Sequence, residues 1–347
     1  MAGRITLTLN YHYLKTMCET IYVSGLVISG SKNIFTVRPD WGLGTRDWGP
    51  EAFPPYLECR IKGKILKGME GFYNPLAPGD RVMIEVNTAH QGTGMIASME
   101  ERKNYFSRFN QKGACSQMFA ANIDMALCVT TRFSPPFRPR FLDRVLLQAA
   151  IADIPAFIIC NKIDMDEEDP DNYLLDINER LEDFRHIGYT VLEVSAKTGK
   201  GLEDLQKLIK GKICVLTGQS GTGKSSLINA LAPELNIKTG SINQKYNRGS
   251  HTTSQGVMVE INVLSERTRL IDTPGVRRFV PDGIGADQII YYMPEFAGLA
   301  GKCSYGLSCL HRKEPGCKIM EAVHAGVIHE DRYDSFIKIF DELKNND

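Results

Sequence analysis

The eight residues Gly218-Gln219-Ser220-Gly221-Thr222-Gly223-Lys224-Ser225 constrain this chain more than any other stretch. They match G-x-x-x-x-G-K-[ST]; an apolar run at 212–217 precedes them and a helical run at 226–231 follows, which is the strand, loop and helix the motif requires. Glycines in such a loop let backbone N–H groups close around phosphate oxygens, and the helix N-terminus adds partial positive charge. Lys224 is expected to reach the β- and γ-phosphates and Ser225 to bind magnesium, with Gly218, Gly221, Thr222, Gly223 and Ser226 completing the cradle. From about 120 to 275 short apolar strands alternate with longer helical segments: strands at 125–129, 156–160 and 190–194, helices at 141–152, 172–186 and 202–210. That alternation predicts a mostly parallel sheet covered by helices.

Three further tetrapeptides or tripeptides fall at expected strand ends. Asp272-Thr273-Pro274-Gly275 follows an apolar run, where a carboxylate holds magnesium and a glycine N–H meets the γ-phosphate. Asn161-Lys162-Ile163-Asp164 sets the base: a carboxylate at Asp164 accepts from guanine N1–H and the exocyclic amine, and leaving it unpaired would reject ATP. Asn161 buttresses that loop, Lys162 lies along the ring, and Ser195-Ala196-Lys197 offers a backbone N–H to guanine O6. Each alone is weak; together they specify guanine. A metal-dependent ATPase would require that Asp164 not read the base.

The polar stretch 236–255 contains Arg248-Gly249-Ser250-His251-Thr252-Thr253 and suits a switch loop. Thr252 or, in our preference, Thr253 would complete magnesium coordination with Ser225 and Asp272, and His251 is a candidate for positioning water. Lys224, His251 and Thr253 are thus the expected catalytic group. Val276 stands where a Ras-like enzyme carries its water-orienting glutamine, so intrinsic hydrolysis should be slow. The chain resembles a translational-type GTPase with its motifs in permuted order: 161 and 195 precede 218, 252–253 and 272. The permutation leads the segment after Asp272 straight into the C-terminal region.

Residues 1–108 show period-two runs at 25–30, 34–37, 56–61 and 81–86 with a Pro78-Gly79-Asp80 turn, which predict a small barrel, best a five-stranded oligonucleotide-binding one. Residues 100–110 read as a polar connector. Residues 109–280 would form the nucleotide domain and 281–347 a helical metal-binding domain, closing with an amphipathic stretch at 333–343. There Cys303, Cys309, His311 and Cys317 form C-x5-C-x-H-x5-C, a closed ligand set for structural zinc. The other cysteines and histidines read as packing or solvated groups, and Arg312, Lys313 and Lys318 as possible phosphate contacts or a solvated face.

Lysine plus arginine equals aspartate plus glutamate at 41 each, yet charge is segregated: 13 basic and 10 acidic side chains in 1–110, 9 and 4 in 211–280, 7 and 13 in 161–210. A zero total can therefore hide a basic face for a polyanion. Nine cysteines in a chain of 347 residues suit a reducing compartment. Apolar runs fall short of the ~18 residues of a membrane span, and the alternating Ile5–Leu9 run does not look like a signal peptide, so a cytoplasmic protein is expected.

Barrel, permuted motifs and finger together resemble, end to end, the ribosome small subunit-dependent GTPase A family. The resemblance implies binding of GTP and GDP with magnesium and zinc, and contact with the 30S subunit and its 16S rRNA late in maturation. It also implies subunit-stimulated hydrolysis that drives release, by a protein expected to be monomeric. Within the family's switch motif R-G-x-H-T-T, Arg248, Gly249, His251, Thr252 and Thr253 match; the segment 39–55 with Trp41 and Trp48 departs from the pattern. A reading from another class is an RNA-binding assembly chaperone in which nucleotide only tunes affinity.

Overall fold

The computed structural model describes residues 21–31, 33–41, 54–63, 71–86, 92–111, 113–168, 173–235, 256–275 and 278–345. Strands β1 (Ile21–Ser31), β2 (Ile34–Pro39), β3 (Leu57–Ile61), β4 (Arg81–Val86) and β5 (Thr93–Met99) close into a barrel in the order β1-β2-β3-β5-β4. β1 serves both neighbours because it is long: its first half pairs with β4, its second with β2, and a register break between Val27 and Ser29 bends it. Alternate residues Phe35, Val37, Leu57, Cys59, Val82, Ile84 and Ile96 turn inward and are buried, so the period-two runs become the barrel core. The strand order, with β3 and β5 parallel, is that of an oligonucleotide-binding barrel. Trp41 packs against this core; residues 42–53 of the tryptophan segment, Trp48 among them, lie outside the described residues.

Residues 100–110 are not simply a polar connector. Their second half is strand β6 (Tyr105–Asn110), which forms a hairpin with β7 (Cys115–Ala121). Phe106 and Phe119 bury themselves in the same cluster as the helices of the central sheet, while Ser107 and Gln117 are buried through hydrogen bonds.

The central sheet contains β8 (Met125–Thr131), β9 (Ala156–Asn161), β10 (Thr190–Glu193), β11 (Ile213–Gly218), β12 (Val257–Val263) and β13 (Glu266–Asp272), ordered β10-β9-β8-β11-β13-β12. All pairs are parallel except β12 with β13, an antiparallel edge that the alternation did not reveal. Helices α1 (Pro139–Ile151) and α2 (Tyr173–Ile187) cover one face through Leu146, Ala149, Leu181 and Phe184. Helices α3 (Leu202–Ile209) and α4 (Lys224–Leu231) cover the other through Leu205, Ile209, Leu227 and Ile228. Strands buried on both sides are mostly apolar, and every residue of β8 is buried, with only Thr130 and Thr131 at its end polar. The helix after β8 and the helix after β11 leave on opposite faces, which opens a crevice between the carboxyl ends of these adjacent strands, the usual ligand position in such sheets.

The last described residues form a 3₁₀ segment (Ala286–Tyr292), α5 (Pro294–Ala297), α6 (Lys318–His324) and α7 (Glu330–Lys344). Phe296 stacks on Phe336 at 4.9 Å, and Ile289, Ile339 and Leu147 of α1 join the same core. Arg332 of α7 is fully buried between Asp143 of α1 at 2.7 Å and Glu295 at 2.5 Å, and lies over the Phe184 ring. A buried guanidinium needs charged partners close by, so this cluster fixes α7 against α1, α2 and α5.

Candidate functional site

The phosphate loop connects β11 to α4 at the crevice. Gly223 has φ +90°, and a Cβ there would lie 2.4 Å from Asn161 Nδ2, so only glycine fits. Asn161, 1 % exposed at the end of β9, joins the expected motifs: Nδ2 donates to Thr222 O at 2.9 Å and Oδ1 accepts from Ala196 N at 3.1 Å. The base loops and the phosphate loop are thereby one hydrogen-bonded unit, although 161, 195 and 222 are distant in sequence.

Asp164 accepts from Ser195 Oγ at 2.7 Å, and Lys197 Nζ lies 3.6 Å from its other oxygen. The Ser195 hydroxyl above all, with Lys197 adding to it, holds the Asp164 carboxyl below its ordinary range. It is therefore an anionic acceptor at neutral pH, as guanine reading needs. Lys162, at φ +67°, donates to Ser134 O at 2.7 Å. That partner, in the loop after β8 whose Pro135 also approaches Gly221, escaped sequence reasoning; the Ser134-Pro135-Pro136 turn signal was its only trace.

Lys224 is buried and donates to Gly218 O and Gln219 O at 3.0 Å each, poised under its own loop. Burial lowers its pKa, and Asp272 works against that shift. Ser225 Oγ donates to Asp272 Oδ2 at 3.3 Å, while Asp272 Oδ1 is buried with no hydrogen-bond partner among the described residues. Burial pushes the Asp272 carboxyl up to about 6, against the pull of Lys224 and Ser225. An orphaned carboxylate oxygen beside a serine hydroxyl is a donor set that fits a hard divalent cation. Thr273 anchors the next turn by donating Oγ1 to Leu216 O at 2.8 Å. Gly275 then passes so near the phosphate loop that a Cβ would meet Ser220 Cα at 2.7 Å. Ser226 sits in the first turn of α4. Arg248, Gly249, His251, Thr252, Thr253 and Val276 lie outside the described residues.

The second cluster is as compact. The ligand atoms of Cys303, Cys309, His311 and Cys317 all lie within 4.8 Å of one another, and all four residues are buried. Sγ atoms of Cys303 and Cys317 are 3.9 Å apart, and His311 Nδ1 is 3.6 and 3.5 Å from them. Tetrahedral zinc with ordinary bond lengths would separate two sulfurs by about 3.8 Å and sulfur from nitrogen by about 3.6 Å. The residues present fit zinc. Two of the neighbouring cations are spent on carboxylates: Arg312 pairs with Asp341, and Lys318 with Glu321 at 2.6 Å.

Fold and site together define a circularly permuted P-loop GTPase carrying an N-terminal barrel and a C-terminal Cys₃His unit. The chain matches the RsgA GTPase family model over residues 99–280 and belongs to that family of GTP hydrolases. It is 36 % identical over 322 residues to a protein of Bacteroides thetaiotaomicron named small ribosomal subunit biogenesis GTPase RsgA 2, covering 92 % of this chain and 97 % of that one. A Porphyromonas gingivalis protein named small ribosomal subunit biogenesis GTPase RsgA is 38 % identical over 288 residues, covering 82 % and 90 %. Among solved structures, YjeQ from Thermotoga maritima superposes with TM-score 0.66 at 28 % identity, covering 93 % of this chain and 99 % of that one. YloQ, described as a circularly permuted GTPase, superposes with TM-score 0.61 at 25 % identity, covering 94 % and 96 %.

Proposed function

We propose that this GTPase binds the small (30S) ribosomal subunit during late maturation and hydrolyses GTP under its stimulation, the change to GDP driving release. The observation that carries the reading is end-to-end correspondence with relatives named for small-subunit biogenesis, in a chain whose guanine and phosphate loops are tied together by Asn161. Asp164 selects guanine, with Asn161, Lys162, Ser195, Ala196 and Lys197 forming its loops. Residues 218–226 cradle the phosphates, and Lys224 leaves its carbonyl partners for β- and γ-phosphate oxygens. Ser225 and Asp272, with Thr253, would hold magnesium, which neutralises charge on the β- and γ-phosphates. Cys303, Cys309, His311 and Cys317 would hold zinc, which closes the loop before α6. The barrel supplies an rRNA-binding surface, and the chain acts as a monomer in the cytoplasm. No helix among the described residues is long and apolar enough to cross a membrane.

The test is hydrolysis of GTP and ATP by the zinc-loaded chain, alone and with isolated 30S, 50S and 70S particles. Stimulation confined to GTP with 30S is expected. Tight 30S binding without stimulated multiple turnover would instead favour an assembly chaperone, and equal use of ATP would remove Asp164 from base selection.

A further inference from the structure

Ser220 occupies the crest of the phosphate loop, exposed, while its neighbours Gln219 and Thr222 are buried. It is also where the D-T-P-G turn closes on the loop. A Cβ at Gly275 would lie 2.7 Å from Ser220 Cα, 2.9 Å from Ser220 N and 3.1 Å from Ser220 Cβ. The γ-phosphate must enter between these two segments if the Gly275 N–H is to meet it. Three other hydroxyls around the site are committed: Thr222 Oγ1 donates to Gln219 O at 3.0 Å, Ser225 Oγ to Asp272, Thr273 Oγ1 to Leu216 O. The Ser220 hydroxyl makes no hydrogen bond to any described residue. The residue after Gly275 is valine, whose side chain can neither accept from water nor donate to phosphate.

We propose that Ser220 is a catalytic residue of GTP hydrolysis, its hydroxyl accepting a hydrogen bond from the attacking water and donating one to a γ-phosphate oxygen. The inference rests on the GTPase reading above and adds to it a second group that orients water, beside the candidate His251. In the step, the water oxygen forms a bond to the γ-phosphorus. The bond from that phosphorus to the β–γ bridging oxygen breaks, its electron pair leaving on GDP, and the water proton passes to the released phosphate. Ser220 ends the step as it began, a neutral hydroxyl, so it contributes orientation without net proton transfer. Glycine at this place would satisfy the backbone geometry equally well, so the side chain must be tested for itself.

The experiment compares the full, zinc-loaded chain with Ser220→Ala and Ser220→Gly, without any ribosomal particle, so that it does not depend on the partner. Both variants are expected to lose about tenfold or more in kcat, with KM for GTP and affinity for fluorescent GDP unchanged within twofold. Affinity for GDP with aluminium fluoride should fall with kcat, because that probe occupies the γ-phosphate position. Unchanged kcat in Ser220→Ala would overturn the proposal, as would a parallel loss of GDP affinity, which marks a loop held in shape by the serine. If the unsubstituted chain hydrolyses GTP neither alone nor with the 30S particle, the functional reading itself falls, and that result is recognised before any variant is compared.

Discussion

Asp282 lies seven residues beyond Gly275 and is 8 % exposed. Its carboxylate accepts from Ser107 Oγ at 2.7 Å and from Ser116 Oγ at 2.8 Å, one hydroxyl from each strand of the β6–β7 hairpin, and its N–H donates to Gln148 of α1 at 2.7 Å. Hydrogen bonds to a charged group contribute roughly 1.5–3 kcal/mol each. Asp282→Ala removes both; Ser116 regains water, but Ser107, 1 % exposed, does not, so a net cost of about 3 kcal/mol is expected. At about 1.4 kcal/mol per decade this raises the local opening equilibrium of the hairpin about 10²-fold. Asp282→Asn keeps one acceptor and should cost about 1 kcal/mol. Hydrogen–deuterium exchange of amides in β6 and β7 measures the effect, with β9 as internal reference. The reasoning is refuted if hairpin protection in Asp282→Ala equals that of the parent, or if β9 loses protection to the same degree.

Asp164→Asn should exchange a pure acceptor for a group that also donates, weakening fluorescent GDP binding by about 10²-fold or more and favouring the xanthine analogue; equal loss for both nucleotides would count against base reading. Because burial raises Asp272 to about 6, its carboxyl is charged above that pH and neutral below it. Acidification should therefore weaken magnesium-dependent GDP binding by about tenfold per pH unit below 6, a slope that Asp272→Asn should abolish. Chelation of zinc, or Cys309→Ser, should unfold the region around α5 to α7 while sparing the sheet, read as partial loss of far-UV circular dichroism and new protease cuts after residue 285; an unchanged spectrum in fully chelated protein would show the thiols to be packing alone.

The sequence carried those features whose physics is local. Period-two runs sent Phe35, Val37, Val82 and Ile84 into the barrel, and apolar runs ahead of glycines or carboxylates became β11 and β13. Cys59, Cys128, Cys160 and Cys214 are buried packing groups, whereas Cys115, expected to pack likewise, is only half-buried at the start of β7; burial pushes the Cys59 and Cys160 thiols up to about 12. Contacts between distant residues left no such signature. In Tyr-Phe-Ser-Arg-Phe-Asn, strand β6 looks like a polar linker because its burial is supplied from elsewhere: Phe279 packs on Phe106, and Asp282 satisfies Ser107. Arg332 with Asp143 and Glu295 is equally silent, since no spacing rule links positions 143, 295 and 332. The antiparallel β12 was missed because its mostly apolar residues read like any buried strand and direction is not encoded in the pattern.

Permutation gives these distant contacts their meaning. In the unpermuted order a chain leaving the D-T-P-G turn stays within the nucleotide domain. Here it runs from Gly275 to Arg278, a reach of at most about 10 Å, and is then held at every step. Arg278 O accepts from Arg108 at 3.2 Å, Phe279 packs on Phe106 and Phe141, Val280 O accepts from Phe109 N at 3.0 Å, and Asp282 is clamped as above. The hairpin so engaged also carries the barrel, through Ala121 N to Pro78 O and Asn122 Nδ2 to Gly79 O, both at 2.9 Å. A displacement of Gly275 on γ-phosphate binding is therefore expected to be felt at the hairpin, which is hydrogen-bonded to the barrel on one side and to the segment leading into the C-terminal helices on the other. Asp282→Ala should therefore leave intrinsic GTP hydrolysis within about twofold while reducing stimulation by the 30S particle, because the phosphate site is intact but its connection to the two flanking units is not. Intrinsic and stimulated rates falling together would place the clamp in the folding of the catalytic sheet instead.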